Sequence, residues 1–263
     1  MAIVAPLQHK KLEGKVAIIT GGASGIGEAT AQLFAKHGAR IVIADIQDEL
    51  GQEVAKSIGQ ESCMYMHCDV ADEDQVKALV GRTVQIYGQL DIMLSNAGTL
   101  SSCDQVVLDL DMSQLDRLFG VDIRGNVACV KHAARAMVDG RVRGTIVCTA
   151  SVAARIGGDK RTDYFMAKHA IIGLVKSASK QLGHHGIRVN AVSPFMVVTP
   201  LMRMAYNYDK DDQEIEKMYQ PLTSLKDVVL EAKHVADAVL FLVSDDAAFL
   251  TGHDLVVDGG FTT

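Results

Sequence analysis

The 263-residue sequence has no tryptophan, only four prolines, and five cysteines that form no Cys-x-x-Cys pair. An odd set of unpaired cysteines argues against a disulfide framework and is typical of a reduced, intracellular chain. No linker rich in proline, glycine or serine interrupts the sequence. We therefore predict a single domain over residues 1–263.

Features that would indicate a metal site, a membrane span or a polyanion partner are also missing. There is no His-Glu-x-x-His and no zinc-finger spacing, so we predict no metal site and interpret His184 and His185 as solvated residues at a helix end. No apolar run reaches the length of about 18 residues that a membrane helix needs. The net charge of −6 and the scattered basic residues predict no nucleic-acid partner.

The first residues, "MAIVAPLQHKKLEGK", place their charges after a very short apolar start. A secretory signal has the reverse arrangement, with its charges first. Hydrophobic residues make up 48% of the chain and charged residues 22%, which is typical of a globular protein with a substantial core. We expect a soluble, cytoplasmic protein that does not associate with membranes.

Short apolar runs alternate with longer segments of helical periodicity along the chain. This alternation predicts an α/β fold with a parallel sheet covered by helices on both faces. The predicted strands are 15–20, 40–45, 63–68, 90–95, 144–150, 187–193 and 254–259. The predicted helices are 25–37, 48–58, 72–87, 113–138, 162–184 and 231–243.

The segment 200–226 breaks this rhythm because it is longer than an ordinary connection and mixes Met and Tyr with a charged stretch. Long insertions in compact domains are often lids over a site, so a lid is one interpretation. A subunit contact or a plain surface excursion is an equally good one.

A glycine-rich stretch, "TGGASGIG", lies between the first predicted strand and the first predicted helix. In that position Gly21 would allow a tight turn, Gly25 a close approach to a pyrophosphate, and Gly27 the packing of helix on sheet. The free N–H groups at the start of the helix would then face the phosphates. The stretch therefore predicts a dinucleotide-binding part at about residues 12–150, followed by a catalytic and substrate part at about 151–263.

Two aspartates follow the next strands. Asp45 ends the second strand roughly 20 residues beyond the turn, where a carboxylate can bind ribose hydroxyls and repel a 2′-phosphate. We therefore predict NAD rather than NADP. Asp69, after the third strand, suits the adenine amino group, although either aspartate alone could equally be a helix cap.

Several motifs occur in the order and spacing of one known family. "TGGASGIG", "CDV", "SNAG", Ser151, "YFMAK" and "SPFMVVTP" together resemble the short-chain dehydrogenase/reductase family over essentially the whole chain. The resemblance implies a Rossmann fold with a seven-stranded parallel sheet, NAD as cofactor, and assembly as a homotetramer or homodimer. Within this family the chain is similar to mint-family monoterpenoid dehydrogenases, such as isopiperitenol and borneol dehydrogenases, and to the related nepetalactol-forming enzymes.

The resemblance also assigns roles in the site. Tyr164 would be the acid/base, Lys168 its electrostatic partner and a ligand of the nicotinamide ribose, and Ser151 the hydroxyl that holds the substrate oxygen. Without the other motifs, Tyr164 and Lys168 would only be two polar residues on one helix face. An ordinary phenol titrates at about pH 10, and a neighbouring ammonium favours its phenolate form. Further cofactor contacts are implied at Ser24, Ile26, Ile46, Val70, Asn96, Ala97, Gly98, Pro194, Val197 and Thr199.

Two positions depart from the family pattern. Asp122, in "GVDIRGN", aligns with an asparagine that completes a proton relay to the lysine, and Asn126 lies about 6 Å further along the helix axis and cannot replace it. The aspartate is either a tolerated near-isostere or a cause of lost turnover. Phe195 stands where the family commonly has glycine. It predicts an apolar, adaptable pocket with Val152, Ala153, Ile156, Met196, Leu201, Met204 and Tyr206, several of which could instead be core residues.

These features leave three hypotheses. The first is NAD-dependent oxidation of a small hydrophobic cyclic alcohol or lactol, such as a monoterpenoid of the borneol, isopiperitenol or nepetalactol type. The second is a redox-neutral iridoid cyclase that binds NAD without turnover. Asp122 and Phe195 favour this hypothesis. The third is a non-enzymatic binding protein, which the intact Ser151, Tyr164 and Lys168 disfavour.

Overall fold

The computed structural model describes residues 10–206 and 211–263 of the chain. Within these ranges seven strands form one sheet: β1 (Val16–Thr20), β2 (Arg40–Asp45), β3 (Cys63–His67), β4 (Ile92–Ser95), β5 (Thr145–Thr149), β6 (Arg188–Pro194) and β7 (Asp254–Val257). They lie in the order β3-β2-β1-β4-β5-β6-β7, and neighbouring strands are parallel. The predicted α/β fold with a seven-stranded parallel sheet is confirmed.

The helices cover both faces of the sheet. They are α1 (Gly25–Lys36), α2 (Asp48–Ile58), α3 (Glu73–Tyr87), α4 (Met112–Phe119), α5 (Asn126–Asp139), α6 (Thr162–Leu182), α7 (Pro200–Tyr206), α8 (Asp212–Tyr219) and α9 (Ala232–Val243). One core cluster joins the sheet to α1, α2 and α9, and a second joins it to α3, α5 and α6. No helix in the described ranges is long and apolar enough to cross a membrane.

The strands carry little polar surface because they are covered on both sides. All five residues of β1, "VAIIT", are buried, and so are five of the six residues of β2. Buried parallel strands are near-continuous apolar runs rather than alternating ones. This is why the predicted strand positions agree with the structure to within one or two residues.

The predicted helix over 113–138 is present, but its middle is π-helical rather than α-helical. Helix α4 ends at Phe119, a π-helical segment runs from Gly120 to Gly125, and α5 begins at Asn126. The chain passes so close to the loop after β3 at this point that a Cβ on Gly125 would lie 2.8 Å from Val70 Cγ2. A π segment of this kind changes the direction in which the following side chains point, and such segments are often found at functional sites.

The described parts of segment 200–226 are mostly helical. Helix α8 begins with a capping box, in which Asp211 accepts a hydrogen bond from the Glu214 N–H and Glu214 accepts one from the Asp211 N–H. Beyond α8 the chain returns along the carboxy-terminal tail, where the N–H groups of Ser224 and Leu225 donate to the carbonyl of Gly259. The lid role of this segment stays a prediction.

The order of the strands fixes the place of the site. Strands β1 and β4 are neighbours, and the chain crosses to opposite sides of the sheet on leaving them. In open parallel sheets a crevice forms at this switch point, outside the carboxyl ends of the strands. The glycine-rich turn, the "SNAG" motif and Ser151 all follow strands that end there.

Candidate active site

Asn96 holds the strand ends of the crevice together. Its backbone N–H donates to Thr20 Oγ1 at 2.9 Å, and its side-chain amide donates to the Thr20 carbonyl at 3.1 Å. Its side-chain oxygen accepts from Thr149 Oγ1 at 3.1 Å. These contacts join the ends of β1, β4 and β5. The predicted cofactor residue Asn96 therefore has a clear structural role, and the N–H of Ala97 adds to it by donating to Thr20 Oγ1.

The three motif glycines of the turn, Gly21, Gly25 and Gly27, could not carry a side chain without strain or a clash. Gly21 and Gly25 have φ angles of +65° and +56°, which L-residues with side chains rarely adopt. A Cβ on Gly27 would lie only 2.1 Å from the Gly21 carbonyl oxygen. Ser24 occupies the N-cap of α1, but its side chain makes no capping hydrogen bond. This cradle of backbone at an uncapped helix start fits the pyrophosphate of a dinucleotide.

Asp45 is 7% exposed at the end of β2 and ties the turn to the ribose position. One carboxylate oxygen accepts from the N–H of Ala23 at 3.0 Å and the other from the N–H of Gln47 at 3.1 Å. Ile46 next to it is 62% exposed and offers an apolar surface to an adenine ring. Asp45 is not the N-cap of α2, since Gln47 holds that position.

Asp69 is likewise not a helix cap, because α3 is capped by Asp72. Its carboxylate accepts from the N–H of Ala71 at 2.9 Å and its own N–H donates to Gln75. Val70 beside it is buried against the π segment. The helix-capping interpretation that the sequence left open for Asp45 and Asp69 is therefore wrong for both.

The far wall of the cofactor crevice comes from the chain after β6. A Cβ on Gly25 would lie 3.1 Å from Thr199 Cγ2, so this segment approaches the glycine-rich turn closely. Val197 is buried and Thr199 is half-buried. Pro194 ends β6 and offers its carbonyl to Ser151. The crevice is thus closed on one side by the turn after β1 and on the other by residues 194–199.

Ser151, Tyr164 and Lys168 lie at the carboxyl end of β5 and along α6. The Ser151 hydroxyl accepts from the Ala153 N–H at 3.2 Å and donates to the Pro194 carbonyl at 3.5 Å. Lys168 follows Tyr164 by one helical turn, and its Nζ is 5.2 Å from the centroid of the Tyr164 ring. Lys168 is only 5% exposed, while Tyr164 is half-buried.

The start of α6 is held by a buried polar group beside Tyr164. Arg161 precedes the helix in a left-handed conformation, with φ of 64°, and donates to the Ser101 carbonyl. Asp163 is fully buried, and its carboxylate accepts from the Ser101 hydroxyl and, at 2.8 Å, from the N–H of Tyr164. These bonds fasten the first turn of α6 to the loop after β4. They fix the backbone that carries Tyr164.

Asp122 is brought against Lys168 by the π segment. Asp122 is fully buried, and its Oδ2 is 3.0 Å from Lys168 Nζ. Its Oδ1 accepts from the N–H of Thr99 at 2.8 Å. Asn126 points elsewhere: its amide donates to the Asp122 carbonyl at 2.8 Å and its oxygen accepts from Ser95. Asn126 therefore fixes the π segment to β4 and does not contact the lysine.

The two buried charges shift each other's titration. Burial raises the pKa of Asp122, and the Lys168 ammonium and the Thr99 N–H offset that rise only in part. Burial by itself would lower the pKa of Lys168, but the Asp122 carboxylate and the neighbouring Tyr164 outweigh it, so the net direction is upward. Lys168 is therefore an ammonium at neutral pH.

The predicted pocket residues differ in burial and position. Val152 and Ala153 are buried in the turn after Ser151, and Met196 and Leu201 are half-buried. Ile156 lines an open groove of about 550 Å³ that Phe165 and Met166 also border, but Ser151, Tyr164 and Lys168 do not. The side chains of the two other predicted wall residues, Met204 and Tyr206, lie outside the described residues.

Phe195 belongs to an aromatic cluster that sequence reasoning missed. Its ring lies 4.4 Å from the ring of Phe261 and 6.3 Å, edge-on, from that of Tyr219. The cluster joins the segment after β6 to α8 and to the carboxy-terminal tail. No sequence signal links these positions, because each is at least 24 residues from the next along the chain. Phe195 thus supports the rim of the crevice rather than standing alone in it.

The described residues contain no group of three or more His, Cys, Asp or Glu side chains that could hold a metal ion. His184 and His185 lie exposed in the turn after α6, with ring centroids 3.9 Å apart. Their place at a helix end agrees with the interpretation from the sequence.

Comparison with known proteins identifies the family of the chain. Residues 21–262 match the family described as enoyl-(acyl carrier protein) reductase. The chain is 56% identical to a (+)-cis,cis-nepetalactol synthase of Nepeta racemosa, covering 99% of this chain and 96% of that protein. It is also 56% identical to a mitochondrial (-)-isopiperitenol/(-)-carveol dehydrogenase of Mentha piperita, covering 95% and 94%.

Among solved structures, the chain is similar to a short-chain type dehydrogenase/reductase from Mycobacterium marinum. The two share 32% sequence identity and a TM-score of 0.87, with 96% of this chain and 97% of that one covered. The family match, the plant relatives and the solved structure agree with the geometry of the crevice. The chain belongs to the short-chain dehydrogenase/reductase family.

Proposed function

We propose that the protein oxidises a small hydrophobic cyclic alcohol or lactol with NAD, and that the substrate is a monoterpenoid. The observation that carries this proposal is the placement of Tyr164 and Lys168 on one face of α6, with Nζ 5.2 Å from the phenol ring. Ser151 lies at the end of β5, and a dinucleotide cradle faces the same crevice. The name of the Mentha relative, a dehydrogenase of isopiperitenol and carveol, supports the substrate class.

The roles of the residues follow from their chemistry. NAD, when bound, supplies the acceptor for the hydride that leaves the carbinol carbon. The Ser151 hydroxyl donates a hydrogen bond to the substrate oxygen, and Tyr164 takes the proton from that oxygen as the carbonyl forms. The Lys168 ammonium favours the phenolate and can also bind the nicotinamide ribose. One alcohol and one NAD thus give one ketone or lactone, one NADH and one proton.

The proposal is tested by adding NAD and a panel of monoterpenoid alcohols and lactols to the purified protein, at neutral and at alkaline pH. We expect NADH absorbance to appear with at least one member of the panel, and the matching ketone or lactone to appear by gas chromatography. Calorimetry with NAD provides the control for cofactor binding. The absence of NADH across the panel, with NAD bound, would contradict the proposal.

A second candidate function is redox-neutral cyclisation of an iridoid precursor to a nepetalactol. The Asp122–Lys168 ion pair favours it, because a lysine whose charge is offset by a carboxylate promotes proton abstraction by Tyr164 less. The name of the Nepeta relative favours it too. Conversion of a reactive dialdehyde-type enol to a bicyclic lactol without any change in NADH absorbance would support this candidate. Product ratios equal to those without the protein would eliminate it.

Cofactor preference gives a separate prediction. Asp45→Asn removes the charge that repels a 2′-phosphate but keeps an oxygen for the Ala23 N–H. We expect the preference for NAD over NADP to fall by about tenfold or more, measured as the ratio of dissociation constants by calorimetry. Glu49→Gln, an exposed charge change in the first turn of α2, is the matched control and should leave the ratio unchanged. An unchanged ratio in Asp45→Asn would refute the role of Asp45.

Assembly and location are part of the same proposal. We infer a homotetramer or homodimer, the assemblies that are usual in this family, and the exposed side chains of Leu108, at 95%, and Phe249, at 104%, are candidates for burial in such an interface. A cytoplasmic location stays a prediction from the amino-terminal pattern, and the Mentha relative is named as mitochondrial.

A further inference from the structure

The Lys168 ammonium has only part of its bonding capacity left for the reaction. An ammonium carries three N–H donors. Nζ lies 3.0 Å from Asp122 Oδ2 and donates to the Thr149 carbonyl at 3.4 Å. Among the contacts described, these two each engage one donor of the ammonium. One donor is then free for the phenol or the cofactor ribose.

The carboxylate that faces Lys168 is held in place by backbone. The Thr99 N–H fixes Oδ1, and in the described structure no hydrogen bond other than the lysine contact satisfies Oδ2. A Cβ on Gly98 would lie 3.2 Å from Oδ2 and 3.6 Å from Lys168 Nζ, so this glycine borders the ion pair. Asp122 cannot turn to water, because it is 0% exposed. Its Oδ2 therefore stays directed at the Lys168 ammonium.

Three other titratable groups, Tyr164, Asp163 and Cys148, lie near the Asp122–Lys168 pair. Tyr164 and Asp163 approach from α6, and Asp163 is already bonded to the Ser101 hydroxyl and the Tyr164 N–H. Cys148 approaches from β5, and burial raises the pKa of its thiol to about 12, so it stays neutral. The Asp163 carboxylate contributes to the raised pKa of Asp122. Asp122 is the carboxylate in direct contact with the ammonium.

An aspartate at this position changes what the lysine does for the tyrosine. A lone ammonium near a phenol stabilises the phenolate, and an ammonium paired with a carboxylate stabilises it much less, because the opposite charges largely cancel at a distance. The effect is strong here because both partners are buried and little solvent screens them. An asparagine would fill the same space without cancelling the charge.

We propose that Asp122 is a positioning residue that neutralises Lys168 and so keeps Tyr164 in its phenol form at neutral pH. This inference rests on the proposed function for its consequence in turnover. Tyr164 is then better suited to give a proton than to take one. Alcohol oxidation by the protein is confined to alkaline pH, whereas carbonyl reduction or enol protonation proceeds at neutral pH.

The test uses the protein without cofactor and reads Tyr164 directly. The ultraviolet absorbance of tyrosinate is measured as a function of pH in the wild type and in Asp122→Asn. Each titration is repeated with Tyr164→Phe added to the same protein, and the difference between the two curves gives the absorbance of Tyr164 alone. We expect the Tyr164 signal in Asp122→Asn to appear at a pH lower by about 1 to 2 units. Asp122→Ser is a second neutral variant in case Asp122→Asn does not fold.

The matched control is Asp91→Asn. Asp91 is also a buried carboxylate paired with a lysine, 3.5 Å from Lys15 Nζ, but it precedes β4 and so lies at the amino ends of the strands, opposite the end that carries the site. The Tyr164 signal should not move in this variant. An unmoved signal in Asp122→Asn, or an equal displacement in Asp91→Asn, would overturn the inference.

Turnover provides a second arm that separates this inference from the proposed function. For a substrate that the wild type oxidises, the rising limb of the pH–rate profile should move to lower pH in Asp122→Asn by the same amount as the tyrosinate signal. Oxidation at neutral pH should then increase about tenfold for each unit of displacement. If no alcohol is oxidised by either protein, the proposed function fails, and the titration of the cofactor-free protein still decides the role of Asp122.

Discussion

Replacing Tyr164 with phenylalanine should lower kcat/KM for alcohol oxidation by about 100- to 10,000-fold, the usual contribution of a positioned acid/base. The ring and its packing near Lys168 are kept, and only the proton-accepting oxygen is lost. NAD affinity, measured by calorimetry, should change little, because the cradle for the pyrophosphate is formed by the turn after β1. Initial rates of NADH formation with a substrate from the monoterpenoid panel provide the measurement.

The matched control is Tyr87→Phe. Tyr87 ends α3 and packs against the Arg40 guanidinium, 5.8 Å from its ring centroid, away from the crevice. Loss of this hydroxyl should leave kcat/KM unchanged. Activity that survives intact in Tyr164→Phe would exclude the acid/base role. A protein that binds NAD and ligand but converts nothing, with or without Tyr164, would instead be the non-enzymatic binding protein that the sequence also allowed.

The second large effect is expected at the glycine-rich turn. Gly27→Ala places a Cβ 2.1 Å from the Gly21 carbonyl oxygen. Because this oxygen belongs to the backbone, the clash can be relieved only by a shift of the turn itself. We expect the free energy of unfolding to fall by about 1–3 kcal/mol, as for other overpacked sites. NAD binding should be lost, because the displaced turn no longer presents its N–H groups. Thermal unfolding and calorimetry measure the two effects.

Gly173→Ala is the matched control for this change. Gly173 lies within α6, and a Cβ there would meet no heavy atom within 4 Å. Alanine is the better helix former by about 0.5–1 kcal/mol, so this variant should be slightly more stable than the wild type. NAD binding that persists in Gly27→Ala with wild-type affinity would show that the turn does not cradle the cofactor.

The order of the elements could be predicted because each strand carries its own local signal. The apolar runs "VAIIT" and "IVIAD" have the length and composition of buried strands, and the glycine spacing marks the turn that follows β1. The π segment between α4 and α5 could not be predicted, because residues 113–138 keep helical periodicity throughout. It lies where Gly125 comes close to Val70, a tertiary contact that the local sequence does not encode.

The candidate site also has features that could be predicted from the sequence and features that could not. Ser151, Tyr164 and Lys168 lie in motifs whose spacing is set by one strand and one helix, so their proximity followed from sequence. The 3.0 Å contact between Asp122 and Lys168 depends on the π segment and could not be read from the chain. The aromatic cluster of Phe195, Tyr219 and Phe261 depends on how the tail returns over β6. Sequence therefore predicted the pairing of Tyr164 with Lys168 better than the surroundings of that pair.

The hydrogen bonds from Ser224 and Leu225 to Gly259, with the stacking of Phe261 on Phe195, make the end of the chain a neighbour of the crevice. Residues 219–225 cannot swing away from the site unless these bonds break or the tail moves with them. The position of residues 219–225 beside the crevice is therefore coupled to the conformation of the carboxy-terminal tail, although the two are more than 30 residues apart along the chain.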